Sequence, residues 1–213
     1  VLLGDQGLTI TNAADTFAGA IAQGQYSEGQ SNLALIGGTQ ILSGENTYSG
    51  ITTVASGATL QLGAGGQGGS VATDIVNNGT LVLNHNADTV LGATALTGTG
   101  QLLIKGGGTV SQAAGTGISQ SLVSTGDTPY NGTLLLDGNN TVPARGAMLA
   151  TGGITVNTNA ALALTGLVST PGTVTLHNNG TLRQSENSAI NAGVLTTGTG
   201  FVAGDTQLTG VNQ

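Results

Sequence analysis

The chain has 213 residues, of which 38 are glycine and 33 threonine, and only 6% are charged and 2% aromatic. Three basic residues (Lys105, Arg145, Arg183) against ten acidic ones leave a net charge of −7, which excludes the basic patch of a nucleic-acid binder and repels anionic membranes. No cysteine is present, so a disulfide framework and a thiolate metal site are excluded too.

With 38% hydrophobic residues and a mean hydropathy of +0.19, the chain is too apolar to be held unfolded by charge. No run approaches the roughly 18 apolar residues of a membrane-spanning helix, so direct membrane insertion is not expected. The opening VLLGDQG has no basic n-region or long apolar h-region, and the chain reads as a piece of something longer.

Glycine, threonine, asparagine and serine recur too often for helix interiors. What recurs instead is a short apolar alternation closed by glycine or asparagine, the strand signal. In chain order these predicted strands are TLQLG at 59–63, TLVLN at 80–84, QLLIKG at 101–106 and TLLLDG at 133–138. GITVN at 153–157, ALALTG at 161–166 and TVTLHN at 173–178 follow.

The strands repeat. Ile41, Leu60, Leu81, Leu102 and Leu122 open similar apolar pairs at nearly constant spacing, and Leu134, Ile154, Val174 and Val194 form a second such series. The two series are out of phase across STGDTPYNG, so a loop near 124–132 is expected to reset the phase. A period of roughly 20 residues with several strands per period describes one turn of a solenoid. The expected fold is all-β: a parallel β-helix of about ten coils forming one domain over 1–213. At the strand spacing of about 4.8 Å it would be a rod roughly 50 Å long. Glycine and asparagine are expected at the corners for their tolerance of left-handed backbone. The doublets at 77–78, 139–140 and 178–179 suit corners where stacked amides bond one another.

The stretch GGTQILSGENTYSGITTVASGATLQLG at 37–63 carries a more specific pattern. Gly38, Thr39, Leu42, Ser43, Gly44, Asn46, Thr47, Tyr48, Gly50, Thr52, Val54, Gly57, Leu60, Leu62 and Gly63 resemble the autotransporter-associated β-strand repeat of Gram-negative type V secretion. The likeness is specific over 33–110 and diffuse beyond. It implies a right-handed parallel β-helix passenger, exported to the cell surface with the help of a C-terminal β-barrel translocator. That barrel and the signal peptide would lie outside these residues. The repeat is a scaffold signature and names no activity.

Catalytic and ligand chemistry has few candidates. Glycoside hydrolysis needs two facing carboxylates, for which Asp74 with Asp88, or Glu45 with Asp74, could share a face; solvated charges that keep a rod soluble are the simpler account. His85 and His177 are separated by several periods, too far along the rod for a shared metal, and read as exposed corner residues. GAGGQGG at 63–69 has dinucleotide-fingerprint spacing but no following helix, so it reads as a loop. Tyr130, beside Pro129, is the best candidate for an exposed ligand-contacting aromatic. No catalytic residue, cofactor or metal is expected, and the chain is not expected to be an enzyme. The expectation is an adhesive rod whose partners are other copies of itself or host and matrix glycans or proteins. A passive stalk and a polysaccharide-active enzyme are the two alternatives.

Overall fold

The computed structural model describes residues 1–26, 28–91, 95–113, 115–126, 130–138, 140–158, 161–178, 180–197, 203–207 (backbone only) and 212. Among these there is no helix, and every strand pairing is parallel. The chain is a β-solenoid: each coil hydrogen-bonds to the coils before and after it, and the strands gather into sheets along its sides.

One side stacks Leu8–Ile10, Leu33–Leu35, Thr52–Val54, Ile75–Asn77 and Leu96–Thr97. A second side runs nearly the length of the chain. It passes from Thr16–Phe17 and Thr39–Leu42 through Thr59–Gly66, Thr80–His85 and the first half of Gln101–Gln112. It continues through Leu122–Ser124, Ala144–Arg145, Leu162–Leu164 and Gly180–Gln184 to Ala203–Gln207. The third side begins with isolated bridges, Leu2 to Ala22 to Thr47. It becomes a sheet at Thr89–Leu91 and continues through the second half of Gln101–Gln112, Asn131–Leu136, Ile154–Thr158, Leu167–Asn178 and Ala189–Thr197.

The repeat period is the register of these ladders: Thr39 pairs Thr59, which pairs Thr80, which pairs Gln101. The two apolar series belong to different sides of the coil. Leu60, Leu81, Leu102 and Val123 stack on the second side, and Val110, Leu134, Ile154, Val174 and Leu195 on the third. Their phase difference is the passage from Leu122–Ser124 to Asn131–Leu136; within 124–132, residues 127–129 lie outside the described residues.

Three members of the expected series are corrected to the adjacent position. Gln40 rather than Ile41 lies under Leu60, Val123 rather than Leu122 over Leu102, and Leu195 rather than Val194 over Val174. In a strand, a slip to the next position exchanges the inner and outer face.

Corners are made by glycine. Gly106 (φ 93°) and Gly108 (φ 82°) bend the long strand Gln101–Gln112 from the second side onto the third. A Cβ at Gly106 would lie 2.0 Å from the His85 carbonyl oxygen, so a side chain there would collide with the coil below. Among the described residues no asparagine, nor any other non-glycine residue, has positive φ, which corrects the expected backbone role of asparagine. Asparagine acts through its side chain instead, usually on a neighbouring coil's backbone. The stacked amides are Asn–Gln pairs, as where Asn140 and Gln112 exchange two hydrogen bonds of 2.8 and 2.9 Å. Asn139 and Asn179 lie outside the described residues.

The core is one continuous column, with Leu60, Leu102, Leu134, Ile154, Val174 and Leu182 all fully buried. Each such side chain contributes roughly 1.5–3 kcal/mol of burial free energy. Arg145 interrupts this column. It pairs with Val123 below and Leu164 above and has no exposed surface. One guanidinium nitrogen, Nη1, donates to the Val142 and Ala144 carbonyls at 2.9 and 3.2 Å, while Nε and Nη2 have no partner among the described residues.

Desolvation pushes the Arg145 pKa down to about 9. Because the folded value lies below the unfolded one, the charge costs stability fully below about pH 9, and less as pH rises toward the ordinary guanidinium value. Replacing a buried ion by an apolar side chain of similar volume stabilises by about 1–4 kcal/mol in the favourable cases. Arg145→Met is therefore expected to raise the unfolding free energy at neutral pH by an amount of that order, read as a higher urea midpoint. The advantage should narrow at about pH 10.5; both follow from denaturation curves at the two pH values.

Candidate functional site

The repeat-signature residues build structure. Leu60 and Leu62 point into the core, Gly57 and Gly63 take positive φ, and Gly44 and Gly50 stand where a Cβ would meet the backbone of the preceding coil. Asn46 is buried. Its Oδ1 accepts from the Ile21 N–H at 3.1 Å, and its Nδ2 donates to the Gly44 and Ser70 carbonyls at 2.9 Å each, so one side chain touches three successive coils. Tyr48 is buried too, its hydroxyl 2.5 Å from Thr52 Oγ1, which lies 3.1 Å from Thr73 Oγ1. Burial raises the Tyr48 pKa, against the lowering effect of those hydroxyls. Thr47 remains exposed.

The candidate carboxylates are occupied in the same manner. Asp74 accepts from the Ala95 N–H at 2.8 Å, Asp88 from the Thr109 N–H at 2.7 Å, and Asp5 from the Gly29 N–H at 2.9 Å. Glu45 accepts the Ser70 hydroxyl. Asp74, Asp88 and Glu45 thus each hold a different donor on a neighbouring coil. Among the described residues no three His, Asp or Glu side chains gather as metal ligands.

Tyr130 is not an exposed aromatic. It is 1% exposed, and its hydroxyl donates to the Gly108 carbonyl at 2.8 Å, with a longer contact to Gly107 at 3.3 Å. Burial, and secondarily the charge of Asp88, pushes its pKa up to about 12. The stacking of Tyr130 beside Ala150 in the third side draws the ring inward. Among the described residues the exposed aromatic is Tyr26, at 96%. The histidines are corrected as well: His85 is buried at 8% exposure and His177 half-buried, its Nε2 without a partner among the described residues. His85 lies in register between Gly66 and Gly106, where the absence of neighbouring side chains lets the imidazole lie inside the corner.

Two concavities stand out. The larger, about 650 Å³, opens beside the repeat signature. It is lined by Thr47, Tyr48, Ser49, Gly50 and Ile51 from one coil, Ala72, Thr73 and Asp74 from the next, and Gln30 from the one before. The Tyr48–Thr52–Thr73 hydroxyl chain braces its floor, and the Ser49 hydroxyl donates to Gln23 Oε1 at 2.9 Å. With Ile51 44% exposed among hydroxyl, amide and carboxylate groups, the surface of this groove is mixed polar and apolar. The smaller concavity, about 120 Å³, lies behind the glycine run 63–69, whose residues 63–66 belong to the strand Thr59–Gly66 rather than to the expected loop. Residues forming either site come from successive coils, a juxtaposition that the chain order conceals.

Compared with known proteins, the chain matches no family model, no curated protein and no solved structure.

Removing the Asn46 side chain leaves the Ile21 N–H and the Gly44 carbonyl without that partner, while the Ser70 carbonyl keeps the Asn46 backbone N–H. Asn46→Ala is expected to cost about 1–3 kcal/mol. In hydrogen-exchange measurements the Ile21 amide should lose more protection than the amides of Leu102 and Ile104.

Proposed function

We propose that the chain is an adhesive β-solenoid of the autotransporter-passenger kind, carried on the outer surface of a Gram-negative cell, where it binds other copies of itself. The observation that carries this reading is the repetition of polar residues at outward positions. Thr39, Thr59, Thr80 and Gln101 stand in register on four successive rungs of the second side, and Thr155, Thr175 and Thr196 on three of the third. Rungs about 4.8 Å apart present the same hydrogen-bonding group again and again. Many weak contacts of this kind multiply into avidity without a strong single site. The resemblance of residues 37–63 to the autotransporter repeat supports the export route. The open groove at Thr47–Asp74 offers a place for host or matrix glycans, and three basic residues in the whole chain argue against polyanionic partners.

The test is cell settling with residues 1–213 displayed on a bacterium that does not otherwise clump. Settling that excess soluble protein abolishes is the expected result. Thr39→Glu combined with Gln101→Glu places two like charges on one exposed column, and should slow settling severalfold without changing thermal stability. Absence of settling would overturn the homotypic reading, and absence of glycan-array binding as well would leave a passive stalk.

A further inference from the structure

The glycine run 63–69 does more than join two strands. Thr59–Gly66 pairs with Thr80–His85 in regular register up to Leu62 and Leu83, then shifts, so that Gly63, Ala64 and Gly65 oppose Asn84 alone. Gly63, Gly65 and Gly69 all have positive φ, and a Cβ at Gly69 would lie 2.1 Å from the Gly63 nitrogen. The run therefore bulges at 63–65, rejoins the ladder at Gly66 and folds back so that Gly69 meets Gly63. Bulges of this kind re-aim side chains and interrupt pairing beside functional sites.

Behind the run lies the cavity of about 120 Å³. Its wall is apolar, with Leu62, Val71 and Ile75 from one coil and Leu83, Leu91 and Leu96 from the next. Three polar side chains reach it. The Ser70 hydroxyl is committed to Glu45, and the Thr89 hydroxyl contacts the Ala87 carbonyl at 3.3 Å. The third, His85, is 8% exposed, and its ring hydrogen-bonds to none of the described residues. Burial holds its pKa below the ordinary histidine value, with the Glu45 charge working in the opposite direction. The imidazole is thus neutral at pH 7, with one N–H donor and one bare acceptor nitrogen.

The His85 ring nitrogens keep some accessible surface, but a water at this wall would find only one uncommitted side chain among the lining residues, where a well-held water makes two to four hydrogen bonds. An apolar cavity of about 150 Å³ holds a benzene molecule, so the space is of the order of a single ring. We propose that this cavity binds a small aromatic alcohol, with the ring against Leu62, Leu83 and Leu91 and the hydroxyl on the His85 imidazole. A phenolic O–H is a strong donor for the bare nitrogen, and the ring replaces empty space with dispersion contacts.

Phenol and toluene, which differ by a hydroxyl against a methyl group, are the probes, titrated into the full chain by calorimetry and by ligand-observed NMR. Phenol is expected to bind saturably and about tenfold more tightly than toluene, the worth of one neutral hydrogen bond. His85→Leu should abolish that preference while leaving toluene binding in place. Val71→Phe, which fills the cavity from its rim, should remove both. Absence of saturable phenol binding, equal affinity for the two probes in the unaltered protein, a preference that survives His85→Leu, or binding that survives Val71→Phe would each overturn the proposal. If Val71→Phe fails to fold, the His85→Leu comparison still decides it.

Discussion

Everything in this molecule depends on the backbone hydrogen bonds between coils. A strand buried on its inner face can leave no N–H or C=O unsatisfied without a cost comparable to a lost hydrogen bond, and here the partner is regularly the next coil. Each coil must therefore repeat the path of its neighbour closely, or absorb the difference locally. That demand accounts for the nearly constant steps from Thr39 to Thr59, Thr80 and Gln101. It also explains why the inner positions are occupied by side chains of similar volume.

Corners are where the demand is hardest to meet, because the chain turns while remaining stacked. Two solutions recur. Glycine supplies the left-handed angle and the missing Cβ, as at Gly106 against the His85 carbonyl. Asparagine and aspartate reach across to a backbone N–H that the turn has left free, as Asn46 does for Ile21, Asp74 for Ala95 and Asp88 for Thr109. Much of the modest acidic content is thereby committed to structure. Among the described residues no three His, Asp or Glu side chains gather as metal ligands.

Departures from repetition are the informative places. Arg145 puts a cation where its ladder neighbours are Val123 and Leu164. The run 63–69 adds length that the coil above does not have, and the packing behind it is left incomplete. The first is a local loss of stability inside an otherwise apolar column. The second joins an apolar wall to an imidazole that no described residue hydrogen-bonds.

The architecture follows from the chain's own pattern. An alternation of period two, recurring about every 20 residues and punctuated by glycine, has one economical reading as stacked short strands. Leu60, Leu81 and Leu102 were legible as core, and the signature around Asn46 and Tyr48 as scaffold, because local pattern carries that information. Which member of an apolar or mixed pair faces inward was settled only by the stacking of coils. Gln40 displaces Ile41 and Val123 displaces Leu122, because the length of each corner sets the register and a single added position exchanges the faces. The same stacking fixed the surroundings of Tyr130, His85 and Arg145. Their neighbours lie one coil away, a full repeat distant along the chain, so no local pattern records whether such a side chain ends in solvent or in the core.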